Sequence, residues 1–146
     1  EEVEDFSNIS SNFGDEKPEL TAQPLAGFRS ENAPPVDIED ALPRFGNDRK
    51  FFYEMSQDFQ KELPENTTKM KTALAQKDAK AMNNLAHALK GIAATFSATK
   101  LTSLNAILEE KSQKGDLGQA NDLIAEIDKE IKLVIPYLQE VEYSTD

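Results

Sequence analysis

The feature that most restricts how this chain can fold is a stripe near its C-terminus: Ala120, Leu123, Ile127, Ile131, Val134, Leu138 and Val141 succeed one another at steps of three and four. At about 100° per residue this spacing lines one face of an α-helix. The stripe passes Pro136 without losing phase, so a kink rather than a break is expected there. The same spacing recurs upstream in Phe52, Met55, Phe59 and Leu63, continued beyond Pro64 by Met70 and Leu74; in Met82, Leu85, Leu89, Ile92 and Phe96; and in Leu101, Leu104 and Leu108. No run alternates apolar and polar residues as a half-buried strand would. Four amphipathic helices on short connections can hide their stripes only against one another. The sequence therefore predicts an all-α fold, an antiparallel four-helix bundle.

A short additional helix is expected in front of the bundle. Pro34 and Pro35 lead to Asp37, a capping residue, and then to Ile38, Ala41 and Leu42, with Gly46 as the stop. Asn47 and Asp48 can cap the first long helix, Asp78 the second, while Lys111, Lys114 and Gly115 suit the C-terminus of the third. Residues 1–35 differ in character: acidic residues are mixed with Pro18, Pro24, Pro34 and Pro35, and the apolar residues keep no period. They read as an acidic, largely disordered linker, and residues 36–146 as the folded domain. The alternative is that Leu25 and Phe28 tack onto the bundle.

Composition removes several function classes. A net charge of −11 disfavours nucleic acid and anionic membrane surfaces, which are bound by clustered Lys and Arg. With no cysteine and one histidine, thiolate metal sites and disulfides are excluded. No stretch approaches the ~20 apolar residues of a membrane span, and the N-terminus lacks the basic start and apolar region of a signal peptide. A cytoplasmic location is expected.

The single histidine lies in "LAHALKGIAATFS", residues 85–97. With Leu85 at zero on a wheel of about 100° per residue, Met82, Leu89, Ile92 and Phe96 fall within roughly 60° of it and His87 near 200°. The imidazole thus points away from the core. Its surroundings are Asn83, Asn84, Lys90, Gly91, Ala94 and Ala98, all polar or small. Surface helix positions ordinarily carry Lys, Glu, Gln or Arg, and a mid-helix glycine costs roughly 1 kcal/mol relative to alanine. Side chains lean toward the helix N-terminus, so a side chain at 91 would cover the patch over His87, and glycine leaves it open. The plain alternative is a tolerated glycine on a solvated face.

An exposed neutral imidazole is a nucleophile near physiological pH. Lys90, one turn on, can place positive charge beside an incoming phosphoryl group. Gly91 and Ala94 let a partner come close, with Asn83, Asn84 and Ala98 completing the expected contact face. A general base, an oxyanion hole, a metal cluster and a nucleotide-binding loop are missing. These residues can accept a phosphoryl group, and the partner must supply the catalysis.

At these residues the sequence resembles the histidine-containing phosphotransfer (HPt) domains of multistep two-component phosphorelays. Their His-x-x-Lys-Gly pattern is matched by His87, Lys90 and Gly91, and the similarity extends over most of residues 36–142. "VDIEDALPRFGNDRKFFYEMSQDF" resembles the family's N-terminal helices, "LAQKDAKAMNNLAHALKG" the approach to its histidine and "LTSLNAILEE" the following helix. One position departs: the family often has glycine ten residues after the histidine, where this chain has Ser97, which puts the helix end in question.

The resemblance implies a phosphocarrier rather than an autonomous enzyme. His87 would take a phosphoryl group from the phospho-aspartate of one receiver domain, hold it on Nε2 and pass it to another receiver. No intrinsic cofactor is implied; magnesium would belong to the receiver. The partners would be receiver domains of response regulators and of a hybrid sensor kinase. This segment would be the C-terminal module of such a kinase, tethered wherever the kinase is membrane-bound; a free-standing, monomeric carrier is the other form. Two further readings compete: a helical adaptor in which His87 is incidental, and a histidine kinase dimerisation domain. The latter ordinarily has a His-Glu pair and a nucleotide-binding domain, and here His87 is followed by Ala88.

Overall fold

The computed structural model describes residues 33–144. Apart from residues 33–35, the expected linker lies outside the described residues, as does the expectation for Leu25 and Phe28. Helix α1 (Ile38–Ala41) runs into a 3-10 turn (Leu42–Phe45), followed by α2 (Arg49–Ala75), α3 (Ala79–Thr95), α4 (Thr99–Gln113) and α5 (Ala120–Ser144). Among the described residues there is no strand. Each long helix packs on its neighbour in the chain, and α5 closes the ring against α2. The short leading helix and the four-helix bundle are those expected from the apolar stripes.

The caps follow the local chemistry. The carboxylates of Asp37, Asp48 and Asp78 accept from the backbone N–H three residues on, at 3.2, 3.1 and 3.0 Å, which satisfies donors the first helical turn leaves open. Helices α2, α3 and α4 end in one repeated device. After α3, Ala98 N–H bonds to Ala93 O at 2.9 Å and Ser97 N–H to Ala94 O at 3.1 Å. Asp78 and Lys77 close α2 in the same way, and Asp116 and Gly115 close α4. This paired closure requires a left-handed residue, and Lys77, Ser97 and Gly115 have φ of 54°, 56° and 76°. Two of the three are not glycine. In both of those turns the residue that closes one helix is also the N-cap of the next, so each connection is only three residues long.

Prolines 64 and 136 lie inside α2 and α5, which continue through them. The hydroxyls of Thr67 and Thr68 donate to the Pro64 carbonyl at 2.9 and 3.1 Å. The buried face keeps its phase across the proline, from Leu63 to Thr67 and Met70.

Two parts of the expected core are corrected. Met55 is 36% exposed, on the flank of α2 beside the likewise exposed Phe51. In α3 the buried residues are Met82, Ala86, Leu89 and Ala93, with Phe96 just beyond, whereas Leu85 and Ile92 are half-buried. The helix is rotated toward its alanines, whose small side chains let a neighbouring helix come close.

Ser97, the departure from the family pattern, is the joint of the fold. A non-glycine residue in the left-handed region is strained by about 1–2 kcal/mol, and Ser97 offsets this with contacts. Its carbonyl accepts from Asp37 N–H at 3.0 Å, its hydroxyl donates to Asp40 at 2.7 Å, and Arg44 donates to that hydroxyl. Arg44 also bonds the last carbonyls of α3, Thr95 O at 3.0 Å and Ala94 O at 3.2 Å, where a cation meets the negative end of the helix dipole. The Ser97 hydroxyl first, and Arg44 after it, hold the Asp40 carboxyl below its ordinary value. Beneath this joint Phe59 and Phe96 stack at 4.4 Å, with Phe45 at 5.1 Å and Phe52 at 5.6 Å from Phe96. Replacing Arg44 with Met keeps the aliphatic stem and removes these bonds. Urea unfolding is expected to show a loss of about 1–2 kcal/mol, and an unchanged midpoint would mean that water replaces the guanidinium without cost.

Candidate functional site

His87 projects from the middle of α3 with 69% of its side chain exposed, on the side away from Met82, Ala86 and Leu89. Its Nδ1 lies 2.6 Å from Oε2 of Glu109 on α4, and the other oxygen of that carboxylate lies 2.6 Å from Lys90 Nζ. One carboxylate thus joins the histidine and the lysine of the motif. Only 19% of the Glu109 side chain is exposed, so the pair of contacts is partly shielded from solvent. Lys90 first, then His87, holds the Glu109 carboxyl below its usual value of 4.5.

The ring tautomer follows. An ionised carboxylate can only accept hydrogen bonds, so the proton of the neutral imidazole sits on Nδ1. That leaves the Nε2 lone pair on the exposed edge of the ring, free to attack. Lys90 is not loose in solvent: its ammonium is parked beside the ring by the same carboxylate.

Sequence reasoning does not pick out Glu109. It lies 22 residues from His87, and only the register of α3 against α4 brings it there. Of the expected contact face, Asn84, Ala94 and Gly91 are exposed. Asn83 is half-buried, and its amide donates to the Glu109 backbone carbonyl at 2.8 Å, between the helices. Ala98 is a correction: it is fully buried as the N-cap of α4, because the turn at Ser97 has already carried the chain off the face of α3. A Cβ built on Gly91 would meet nothing within 4 Å. The intramolecular packing therefore gives no reason for glycine there, and the open space faces outward. Beside the site, Leu85 and Asn84 line a groove of about 420 Å³ shared with Thr68, Thr72 and Ala73 of α2.

No group of side chains among the described residues could hold a metal ion, and no described helix is long and apolar enough to cross a membrane. The arrangement is that of a helical bundle presenting one oriented, largely exposed imidazole. The Hpt domain family model matches residues 54–135, which contain His87, Lys90, Gly91 and Glu109, and the chain belongs to that family. Among solved structures it is similar to the histidine-containing phosphotransfer protein B (HptB) of Pseudomonas aeruginosa PAO1, with 23% identity, a TM-score of 0.72, and 77% of this chain and 98% of that one covered. No curated protein matches the sequence. The bundle expected from the sequence is thus the family's, and the chain is a phosphorelay phosphocarrier, a carrier rather than an enzyme in its own right.

Two outcomes are expected. Gly91→Ala gains about 1 kcal/mol of stability from helix propensity, measured by thermal unfolding, yet slows phosphoryl acceptance; equal acceptance would show that the open space has no use. The depressed Glu109 pKa fixes a pH dependence: a group whose folded pKa is lowered stabilises the fold above its unfolded value and loses that contribution as pH falls through the folded one. Wild type is therefore more stable than Glu109→Gln above about 4.5, and denaturant unfolding should show the gap closing in stronger acid. A gap that stays constant would refute the ionic contacts.

Proposed function

We propose that His87 is the residue that carries the phosphoryl group. The observation that supports this most is the engagement of Nδ1 by Glu109 on an otherwise exposed ring, since it reserves Nε2 for the incoming group. In the forward step the Nε2 lone pair attacks the phosphorus of a receiver's phospho-aspartate. The bond from phosphorus to the aspartyl oxygen breaks, the electron pair leaves with the aspartate carboxylate, and a phosphoramidate forms on Nε2. The ring, still protonated at Nδ1, gains positive charge next to the Glu109 carboxylate, which stabilises it. Lys90 lies where its ammonium can turn from Glu109 to the phosphoryl oxygens.

Transfer onward to a second receiver reverses these steps, with that receiver's aspartate as nucleophile. Magnesium and the groups that stabilise the transferring phosphoryl belong to the receivers, because the site, among the described residues, offers an acceptor and one cation. Asn84, Gly91 and Ala94 form the face on which a receiver docks. The chain acts in the cytoplasm as a monomer, as the C-terminal module of a hybrid sensor kinase or as a free carrier. His87→Gln should fold as wild type by circular dichroism and accept no label from a receiver charged with acetyl phosphate. Undiminished labelling of that variant would reject the assignment.

A further inference from the structure

Nothing in α3 itself provides the carboxylate that orients His87; it comes from α4, so its reach depends on how α4 is registered along α3. Asn83 acts at that register. It lies one turn before His87, and its amide donates to the backbone carbonyl of Glu109 itself, at 2.8 Å. The level at which Glu109 leaves α4 is thereby fixed opposite Asn83. Side chains lean toward the N-terminus of their own helix. On α4, antiparallel to α3, that lean carries the Glu109 carboxylate from the level of Asn83 toward His87 and Lys90. Four residues of helix rise about 6 Å, which a glutamate side chain spans, and the carboxylate arrives 2.6 Å from both groups.

We infer that Asn83 is a positioning residue for phosphoryl acceptance, holding Glu109 at the level from which its carboxylate keeps the His87 proton on Nδ1. This rests on the assignment of His87 as the acceptor. The remaining contacts of the hairpin are largely apolar: Met82, Ala86 and Leu89 on α3, and Leu101, Leu104 and Leu108 on α4, are buried. Apolar packing is not directional and tolerates small axial shifts. A hydrogen bond is less forgiving, and a slip of about 1 Å would carry a 2.6 Å contact beyond useful range. The cost falls on the chemistry because an unassisted histidine ring prefers its proton on Nε2, the atom that must attack. Asn83 therefore works against the intrinsic tautomer, and does so without touching the ring.

The test is two-bond 1H–15N NMR of the imidazole in the full-length chain, which reads the tautomer directly, together with the rate of labelling from a charged receiver. Wild type should show the Nδ1–H form. Asn83→Leu, close in shape but without a donor, and Asn83→Ala should shift the ring toward Nε2–H and slow labelling about fivefold, the scale of one lost hydrogen bond, with the fold retained by circular dichroism. Glu109→Ala serves as the limit of the same shift. Should the leucine variant fail to fold, the alanine variant decides. An unchanged tautomer in either folded variant overturns the role of Asn83. Failure of wild type itself to be labelled at His87 overturns the acceptor assignment instead, so the two are told apart.

Discussion

The backbone at Ser97 both joins the two helices of the central hairpin and seats the N-terminal segment. In the left-handed region with φ of 56°, it ends α3 and turns the chain within three residues into α4, which sets the two helices side by side and antiparallel. The same residue anchors the N-terminal segment through Asp37, Asp40 and Arg44. A strained position is retained where surrounding contacts over-determine it, and here they come from three residues of one N-terminal segment. The functional consequence lies three turns away. The short turn brings Glu109 on the second helix near Asn83 on the first, whose amide holds its level, and its carboxylate reaches His87.

The site combines exposure with order, two properties that usually oppose each other. A surface ion pair contributes little because its partners must be immobilised in a screening solvent. Glu109 avoids part of that cost: it is mostly covered and serves two partners at once, so one ordered side chain orients both His87 and Lys90. The ring stays available to another protein while its tautomer is set from within the bundle. Gly91 complements this from outside, leaving open the volume that a longer side chain would fill.

Much of this is legible in the sequence, and the reasons for the misses are physical. The stripes define the helices, the aspartate caps define the starts of α1, α2 and α3, and the wheel places His87 outward, because these depend on residues within a few turns of one another. Periodicity weights leucine above alanine, whereas the closest helix approach selects alanine, so the expected buried face of α3 centres on Leu85 and Ile92 instead of Ala86 and Ala93. Lys77 carries no signal for its left-handed conformation, which the three-residue turn imposes. Ala98 reaches the expected contact face only if α3 continues past its end at Thr95. Glu109 escapes sequence reasoning and Asn83 reads as part of the open face for one reason: both act across a helix pair, and hairpin register is not written in either helix alone.

The division of labour between carrier and partner follows from the same geometry. A bundle that also stabilised the transferring phosphoryl group would need several donors converging on it, and binding the phosphorylated form tightly would slow its departure to the next receiver. Here the cation of the site is Lys90, already balanced by Glu109, so a phosphoryl group on His87 would gain a modest partner and no deep well. With His87 as the proposed acceptor, Glu109 favours the Nδ1–H tautomer that would attack and balances the positive ring that would result, and on the return step the imidazole would be left neutral as phosphorus departs. A site arranged in this way would serve transfer in both directions, with the docking receivers setting the direction taken.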